Sequence, residues 1–131
     1  MKVAAFPPNA NWQTACLGAY QNDDLYVVAC RDYVDGQIFE AWHETAASPA
    51  ALAQVPGSDT ISILLRLDRN PSTEAIGAFF SVNDGASWTA LGASIVKSLA
   101  NPRLAIFIGA NGSTSSFPTA DINWVEIVAN P

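Results

Sequence analysis

Two glutamates and a tryptophan alternate along one short segment of this sequence, Gly36–Glu44. In an extended strand, Glu40, Trp42 and Glu44 project from one face, because successive side chains point to opposite sides. An indole can stack on the apolar face of a sugar ring while carboxylates accept hydrogen bonds from its hydroxyl groups. The pattern predicts a sugar-binding face. The alternative is an amphipathic strand with Trp42 half-buried on the core and both glutamates solvated.

The spacing of the two glutamates does not suit a catalytic pair. Retaining glycosidases hold their carboxyl groups about 5–5.5 Å apart, and inverting ones about 6.5–9.5 Å apart. Four residues of strand separate Glu40 from Glu44 by roughly 13 Å. A catalytic pair would need another carboxylate, such as Asp68 or Glu74, from a neighbouring strand. No Ser, Cys or Asp constellation accompanies the single histidine, His43, so we predict that the chain is not an enzyme.

Three further residues are candidates for ligand binding. Arg66, in mid-strand, could grip a ligand or Glu40 with two hydrogen bonds, and a structural salt bridge is the alternative. Trp12 and Tyr33 stand among Asn, Asp and Pro in loop-like surroundings, as does Phe117. Loop aromatics line many ligand clefts, but they also pack as lids over the ends of a sandwich.

The charge balance narrows the range of partners. The chain has 131 residues and a formal net charge of −6, with only six Lys and Arg. Nucleic acid and anionic membranes both require basic patches, so we predict neither as a partner. We predict no cofactor and no metal. Asn22, Asp23 and Asp24 group side-chain oxygens in a turn, so a calcium site there is the alternative. The low charged fraction, 14%, suggests an extracellular protein or part of a larger secreted one.

Alternating strands separated by turn residues predict an all-β chain forming one domain over residues 1–131. The sharpest signal is Asn83-Asp84-Gly85, since these residue types accept the positive φ of a tight turn. Its surroundings, Ser81–Trp88, are also similar to the Asp-box, here interpreted as a turn device. The predicted strands are Lys2–Phe6, Thr14–Tyr20, Leu25–Asp32, Gln37–Glu44, Thr60–Asp68, Glu74–Val82, Ser87–Leu91, Arg103–Ala110 and Ala120–Val128.

Two other features of the chain stay open at this level. Ser48–Gln54 has an N-cap serine and a proline at the first helical position, which favours one turn of helix. Ala93–Leu99 fits either a helical turn or a strand. Cys16 and Cys30 flank a turn, and a three-residue loop would place them directly opposite. We expect two buried thiols more than a cross-strand disulfide.

The order of these features resembles a known superfamily. Thr14–Val27 joins a small apolar strand, an acidic turn and a tyrosine-bearing strand, and Ile63–Leu67 carries an arginine. The hairpin Phe80–Trp88 and the closing strand Asp121–Ile127 follow. This order resembles the concanavalin A-like (LamG or jelly-roll) superfamily, most of all the accessory domains of bacterial glycoside hydrolases. The resemblance implies an antiparallel β-sandwich, here lacking N-terminal strands.

Two functions are consistent with this resemblance. The first is a non-catalytic, lectin-like module that binds a poly- or oligosaccharide. The second is a structural or interaction module that associates through an open sheet edge. We expect a homodimer formed by edge-strand pairing or strand exchange. Catalytic jelly-roll glucanases carry a Glu-x-Asp-x-x-Glu pattern, and Trp42 stands here in place of its middle acid. That departure also disfavours glycosidase activity.

Overall fold

The computed structural model describes residues 1–110 and 119–129. All the strand pairs in this part of the chain are antiparallel. The strands are β1 (Lys2–Ala5), β2 (Gln13–Asn22), β3 (Leu25–Tyr33), β4 (Gln37–Thr45), β5 (Ser48–Pro56), β6 (Ile63–Arg69), β7 (Ala75–Ser81), β8 (Thr89–Ala90), β9 (Ile95–Val96), β10 (Arg103–Ala110) and β11 (Asp121–Trp124).

The strands form two sheets that pack face to face, which confirms the predicted antiparallel β-sandwich. The first sheet has the order β11-β1-β6-β7-β8, with β9 paired to β7. The second has the order β10-β2-β3-β4-β5. Among the described residues no helix is long and apolar enough to cross a bilayer.

The core lies between the two sheets. Phe39 from the second sheet and Phe80 from the first stack with ring centroids 4.0 Å apart. Around them, Val3, Leu65 and Ala29 are fully buried. Burying an aliphatic or aromatic side chain contributes about 1.5–3 kcal/mol. The alternate residues of β4, Phe39 and Ala41, therefore fix which face of that strand points inward.

The Asn83-Asp84-Gly85 turn forms as predicted. Asp84 and Gly85 adopt positive φ values of 58° and 87°. Ser81 Oγ accepts a hydrogen bond from the Gly85 amide (3.0 Å), and Asn83 Oδ1 accepts one from the Ser87 amide (3.0 Å). These bonds close the loop between β7 and β8, which is the role of a turn device.

Cys16 and Cys30 form a disulfide, so the expectation of two free thiols is wrong. The turn between β2 and β3 closes on Asn22 and Leu25, a two-residue loop that alone would place the cysteines on opposite faces. A β-bulge between Tyr20 and Asn22 inserts one extra residue and shifts the register. Cys16 then lies directly opposite Cys30, with their Cα atoms 4.0 Å apart.

The segment predicted as a helical turn, Ser48–Gln54, is part of strand β5. Ala46 and Ala47 both adopt positive φ, 51° and 60°, and the chain reverses so that Thr45 pairs with Ser48. Hydrogen bonding to β4 outweighs the local helix signals. Pro49 is tolerated because β5 is an edge strand. Ala93–Leu99 contains the short strand β9 rather than a helix.

Removing the disulfide tests how much it contributes to stability. The bridge spans 14 residues, and closing a loop of about 15 residues removes about 3 kcal/mol of unfolded-state entropy in the chain-entropy model. We expect the double substitution Cys16→Ala, Cys30→Ala to lower the free energy of unfolding by about 2–4 kcal/mol. Urea denaturation measures this change. A midpoint that stays the same under reducing conditions would contradict the bridge.

Candidate functional site

Glu40, Trp42 and Glu44 lie on the outer face of the second sheet. Their neighbours in β4, Phe39 and Ala41, are buried in the core, so the predicted alternation is the observed one. Directly paired residues share a face, and the register therefore assigns one outward row to each strand. The outward row of β3 is Tyr26, Val28, Cys30 and Asp32, and that of β2 is Thr14, Cys16, Gly18 and Tyr20.

Four aromatic rings cover much of this outer face. Trp42 meets Tyr26 edge-on at 5.3 Å between ring centroids, and Tyr26 lies 5.7 Å from Phe107. Tyr20 completes the group, 6.1 Å from Phe107. The Cys16–Cys30 disulfide lies beneath these rings and is almost fully buried. The set Tyr20, Tyr26, Trp42 and Phe107 forms what we term the aromatic platform.

A cleft opens at the end of the platform where Trp42 lies. It encloses about 670 Å³, within the usual range for small-molecule sites of about 300–1,000 Å³. Its walls carry two indoles, Trp12 and Trp42. Its polar groups are three carboxyls and one hydroxyl, and a proline and two small residues complete the lining. The lining residues are Trp12, Thr14, Asp32, Glu40, Trp42, Glu44, Pro49, Gly109 and Ala110; we term this the Trp12–Trp42 cleft.

Trp12 is held at the cleft in an unfavourable backbone conformation. Its φ is 72°, in the left-handed region where a bulky side chain costs about 1–3 kcal/mol. Its amide donates to the Tyr33 carbonyl at 2.8 Å, and the Asn11 side chain pairs with Asp35 at 2.7 and 2.8 Å. These bonds hold the indole in place although 51% of Trp12 is exposed. Backbone strain of this kind is concentrated at functional sites.

Neighbouring side chains orient the two glutamates. Glu40 Oε2 accepts a hydrogen bond from Gln54 Nε2 at 2.7 Å, and Glu44 Oε2 accepts one from the Tyr26 hydroxyl at 2.8 Å. Burial of the Tyr26 ring, followed by its bond to Glu44, raises the pKa of the Tyr26 hydroxyl. That hydroxyl therefore stays a donor at all ordinary pH values. The two carboxylates are fixed on either side of Trp42.

Asp32 is the buried acid of the cleft. It is only 5% exposed, and burial is the main cause that raises its pKa to about 8. A hydrogen bond with Glu40 and the negative charge of Glu40 raise that pKa further, whereas the Thr14 hydroxyl lowers it. Burial and the adjacent Glu40 carboxylate therefore favour the protonated form of Asp32, whose O–H can donate to Glu40.

The other two predicted site residues lie elsewhere. Arg66 belongs to the first sheet, where its guanidinium lies between Phe79 (4.6 Å) and Trp88 (4.3 Å). Its Nε is 3.1 Å from Asp68 Oδ1, so its ion-pair partner is Asp68 rather than Glu40. Tyr33 does not line the cleft. Its backbone carbonyl accepts the Trp12 amide, and its register opposite Gln37 places its side chain on the inner row of β3. Phe117 lies outside the described residues.

Sequence reasoning missed Asp32, Thr14 and the ring partners of Trp42. The alternation of β2 and β3 contains them, but their face is defined only by the register. The two cysteines carried a usable signal. If they are bridged across two strands, they share one face, and every second residue from Cys30, including Asp32, lies on that face with Glu40. In the described residues no group of three or more His, Cys, Asp or Glu side chains is arranged to hold a metal ion.

The raised pKa of Asp32 predicts how the stability of the fold changes with pH. The folded chain keeps a proton on Asp32 that the unfolded chain releases above about pH 4. The stabilisation from this group is therefore complete below that pH and is lost as the pH rises to about 8. We expect Asp32→Asn to flatten the fall in melting temperature between pH 5 and pH 8, and thermal unfolding across that range measures it. The exposed Asp121→Asn is the control, and parallel profiles for Asp32→Asn and wild type would contradict the assignment.

Comparison with known proteins extends the description of the fold. No protein-family model and no curated protein matches this sequence. Solved structures similar in fold include the GH43 BlXynB protein from Bacillus licheniformis and a mutant of that protein. Each superposes with a TM-score of 0.76 and 18% sequence identity, over 91% of this chain and 24% of that one. The chain thus spans about a quarter of the length of BlXynB and shares with it a β-sandwich fold.

Proposed function

We propose that this chain is a non-catalytic carbohydrate-binding module that holds a poly- or oligosaccharide in the Trp12–Trp42 cleft. One observation carries the proposal: two indoles from separate elements line the same cleft as three carboxyl groups. An aromatic ring offers a large apolar face at low entropic cost. The carboxylates of Glu40 and Glu44 accept hydrogen bonds from sugar hydroxyl groups.

The positions of the acids support binding over hydrolysis. Asp32 and Glu40 are in hydrogen-bond contact, which is closer than the roughly 5–5.5 Å that the tighter class of glycosidases uses. Glu40 and Glu44 are two pleats apart on one strand, roughly 13 Å. The Asp32–Glu40 pair is too close and the Glu40–Glu44 pair is too far apart for glycoside hydrolysis, so we infer that these acids recognise hydroxyl groups.

The fold comparison is consistent with this proposal. GH43 denotes a group of glycoside hydrolases, and the present chain corresponds in length to about a quarter of one. A β-sandwich that matches part of a glycoside hydrolase chain is consistent with the accessory domains that the sequence resembles. The concanavalin A-like assignment is part of the same proposal. Fold analogy alone is a weak guide to function, so the cleft remains the principal support.

The proposal predicts which tryptophan matters for glycan binding. We expect Trp42→Ala to abolish or weaken retardation on polysaccharide affinity gels at least about tenfold, because central aromatic contacts contribute roughly 2 kcal/mol or more. The gels would contain a panel of soluble polysaccharides that includes xylan and glucans. Trp124→Ala is the matched control, since Trp124 is 45% exposed on the opposite sheet.

Thermal unfolding separates loss of binding from loss of fold. Trp42 packs edge-on against Tyr26, so the Trp42→Ala melting curve must still show one cooperative transition for the gel result to count. Equal retardation of wild type and Trp42→Ala would refute stacking at this residue. If no polysaccharide retards the wild type, the structural or interaction module becomes the favoured function.

Trp12 offers an independent test, because its backbone strain and its ring can be separated. Glycine adopts positive φ without steric cost, so Trp12→Gly relieves the strain while deleting the indole. We expect the free energy of unfolding to stay within about 1 kcal/mol of wild type, while glycan affinity falls. Urea denaturation and the same affinity gels measure the two quantities. A large loss of stability with unchanged retardation would show that Trp12 is a packing residue.

A further inference from the structure

Strand β10 forms one edge of the second sheet and lacks the devices that normally protect an edge. It pairs with β2 without a bulge along its whole length, from Arg103↔Tyr20 to Ala110↔Gln13. Its sequence, RLAIFIGA, has no proline and no lysine, and Arg103 is its only charge. Long, flat, apolar edges of this kind are templates for pairing with another strand.

The opposite edge of the same sheet is protected in the usual ways. β5 contains Pro49 and Pro56, which lack the backbone donor that an incoming strand needs. A bulge between Ala41 and Trp42 also disrupts its pairing with β4. The two edges of one sheet therefore differ, and within residues 1–110 and 119–129 no strand pairs with the free side of β10.

Every second side chain of β10 lies on the core side of the sheet, and yet these side chains are exposed to solvent. Leu104, Ile106 and Ile108 pair with Ala19, Leu17 and Ala15 of β2, and Ala15 and Leu17 are buried in the main core. The three β10 residues nevertheless remain 40%, 41% and 45% exposed. Beside Leu104, a groove of about 230 Å³ opens between the sheets, with Ile127 and Val128 on its rim.

We propose that β10 pairs antiparallel with β10 of a second copy of this chain, across a two-fold axis at Ile106. The result is a continuous ten-stranded sheet. The inference does not require glycan binding, although Gly109 and Ala110 at the end of β10 line the Trp12–Trp42 cleft. The observations that carry it are the bare ladder edge and the exposed apolar row on the same strand.

The sequence of β10 is self-complementary in this register. Ile106 lies opposite Ile106 of the second copy, and Leu104 lies opposite the second copy's Ile108. The inner row of the interface therefore consists of three apolar cross-strand pairs. On the outer row, Arg103 faces the second copy's Gly109. The two arginines are separated by roughly 20 Å of strand. Two chains of net charge −6 would therefore pair through strands that carry no acidic side chain, and Glu126 lines the groove beside Leu104 and Arg103.

The apolar surface on this flank is large enough for a specific dimer. The exposed parts of Leu104, Ile106, Ile108, Ile127 and Val128 amount to roughly 500 Å² per copy, so a pair would remove on the order of 1,000 Å² from water, near the lower limit for a specific interface. Backbone hydrogen bonds along the new ladder add to this. Pairing also brings the two aromatic platforms together, because Phe107 lies on the outer face of β10.

Mass measurement across a wide concentration range tests the proposal directly. We expect wild type to approach twice the chain mass in sedimentation equilibrium, and Ile106→Lys to remain monomeric, since a lysine would face its own copy on the axis. Ile61→Lys is the control, because Ile61 is 62% exposed and lies outside the strands. A wild type that stays monomeric, or an Ile106→Lys variant that still dimerises, would overturn the proposal.

Cysteine cross-linking tests the register and does not depend on the lysine variant folding. Directly opposed residues have Cβ atoms about 4.5–5.5 Å apart, close to the range for a disulfide. We expect Ile106→Cys to form a covalent dimer on oxidation, and Leu104→Cys to do so only when mixed with Ile108→Cys. Cross-linking of Leu104→Cys with itself, or none from Ile106→Cys, would overturn this pairing.

Discussion

The register between β2 and β3 is the constraint on which both faces of the second sheet depend. Side chains alternate with a period of two, so a slip of one residue would turn the whole outward row of β2 into the core. The two-residue loop at Asp23 and Asp24 alone sets the opposite register, and the bulge near Gln21 corrects it. The Cys16–Cys30 bridge then locks the corrected pairing, so the same covalent link supports the aromatic platform above it.

Alternation in the sequence was enough to predict the sandwich and the orientation of β4. Phe39 and Ala41 face the core because they are apolar, which leaves Glu40, Trp42 and Glu44 outside. Strand β5 was not recognised from the sequence, because alanines at positions 46 and 47 do not indicate the left-handed turn that they form. Pro49 and Ser48 also imitate a helix start. At this hairpin, pairing with an already formed strand outweighs local propensity, which a single segment of sequence does not report.

The candidate site was predicted in part, and the missed residues share one cause. Glu40, Trp42 and Glu44 are neighbours in one strand, so local periodicity finds them. Asp32 and Trp12 reach the same cleft through register and through a strained loop, both non-local properties. Arg66 was grouped with Glu40 because both lie in mid-strand on polar faces. The topology places them in different sheets, and strand assignment to sheets is not encoded in any short segment.

The cleft also concentrates local features that disfavour folding. Trp12 lies in a backbone region that costs about 1–3 kcal/mol for a bulky residue, and Asp32 is a buried acid that must stay protonated beside a carboxylate. Elsewhere the buried polar groups of this sheet are well satisfied: Arg31, for example, donates to Gln37 and to the carbonyls of Ser58 and Thr60. Such costs persist only where the surrounding structure enforces them. The platform and its disulfide form such a surrounding, so the fold itself fixes the geometry of the cleft.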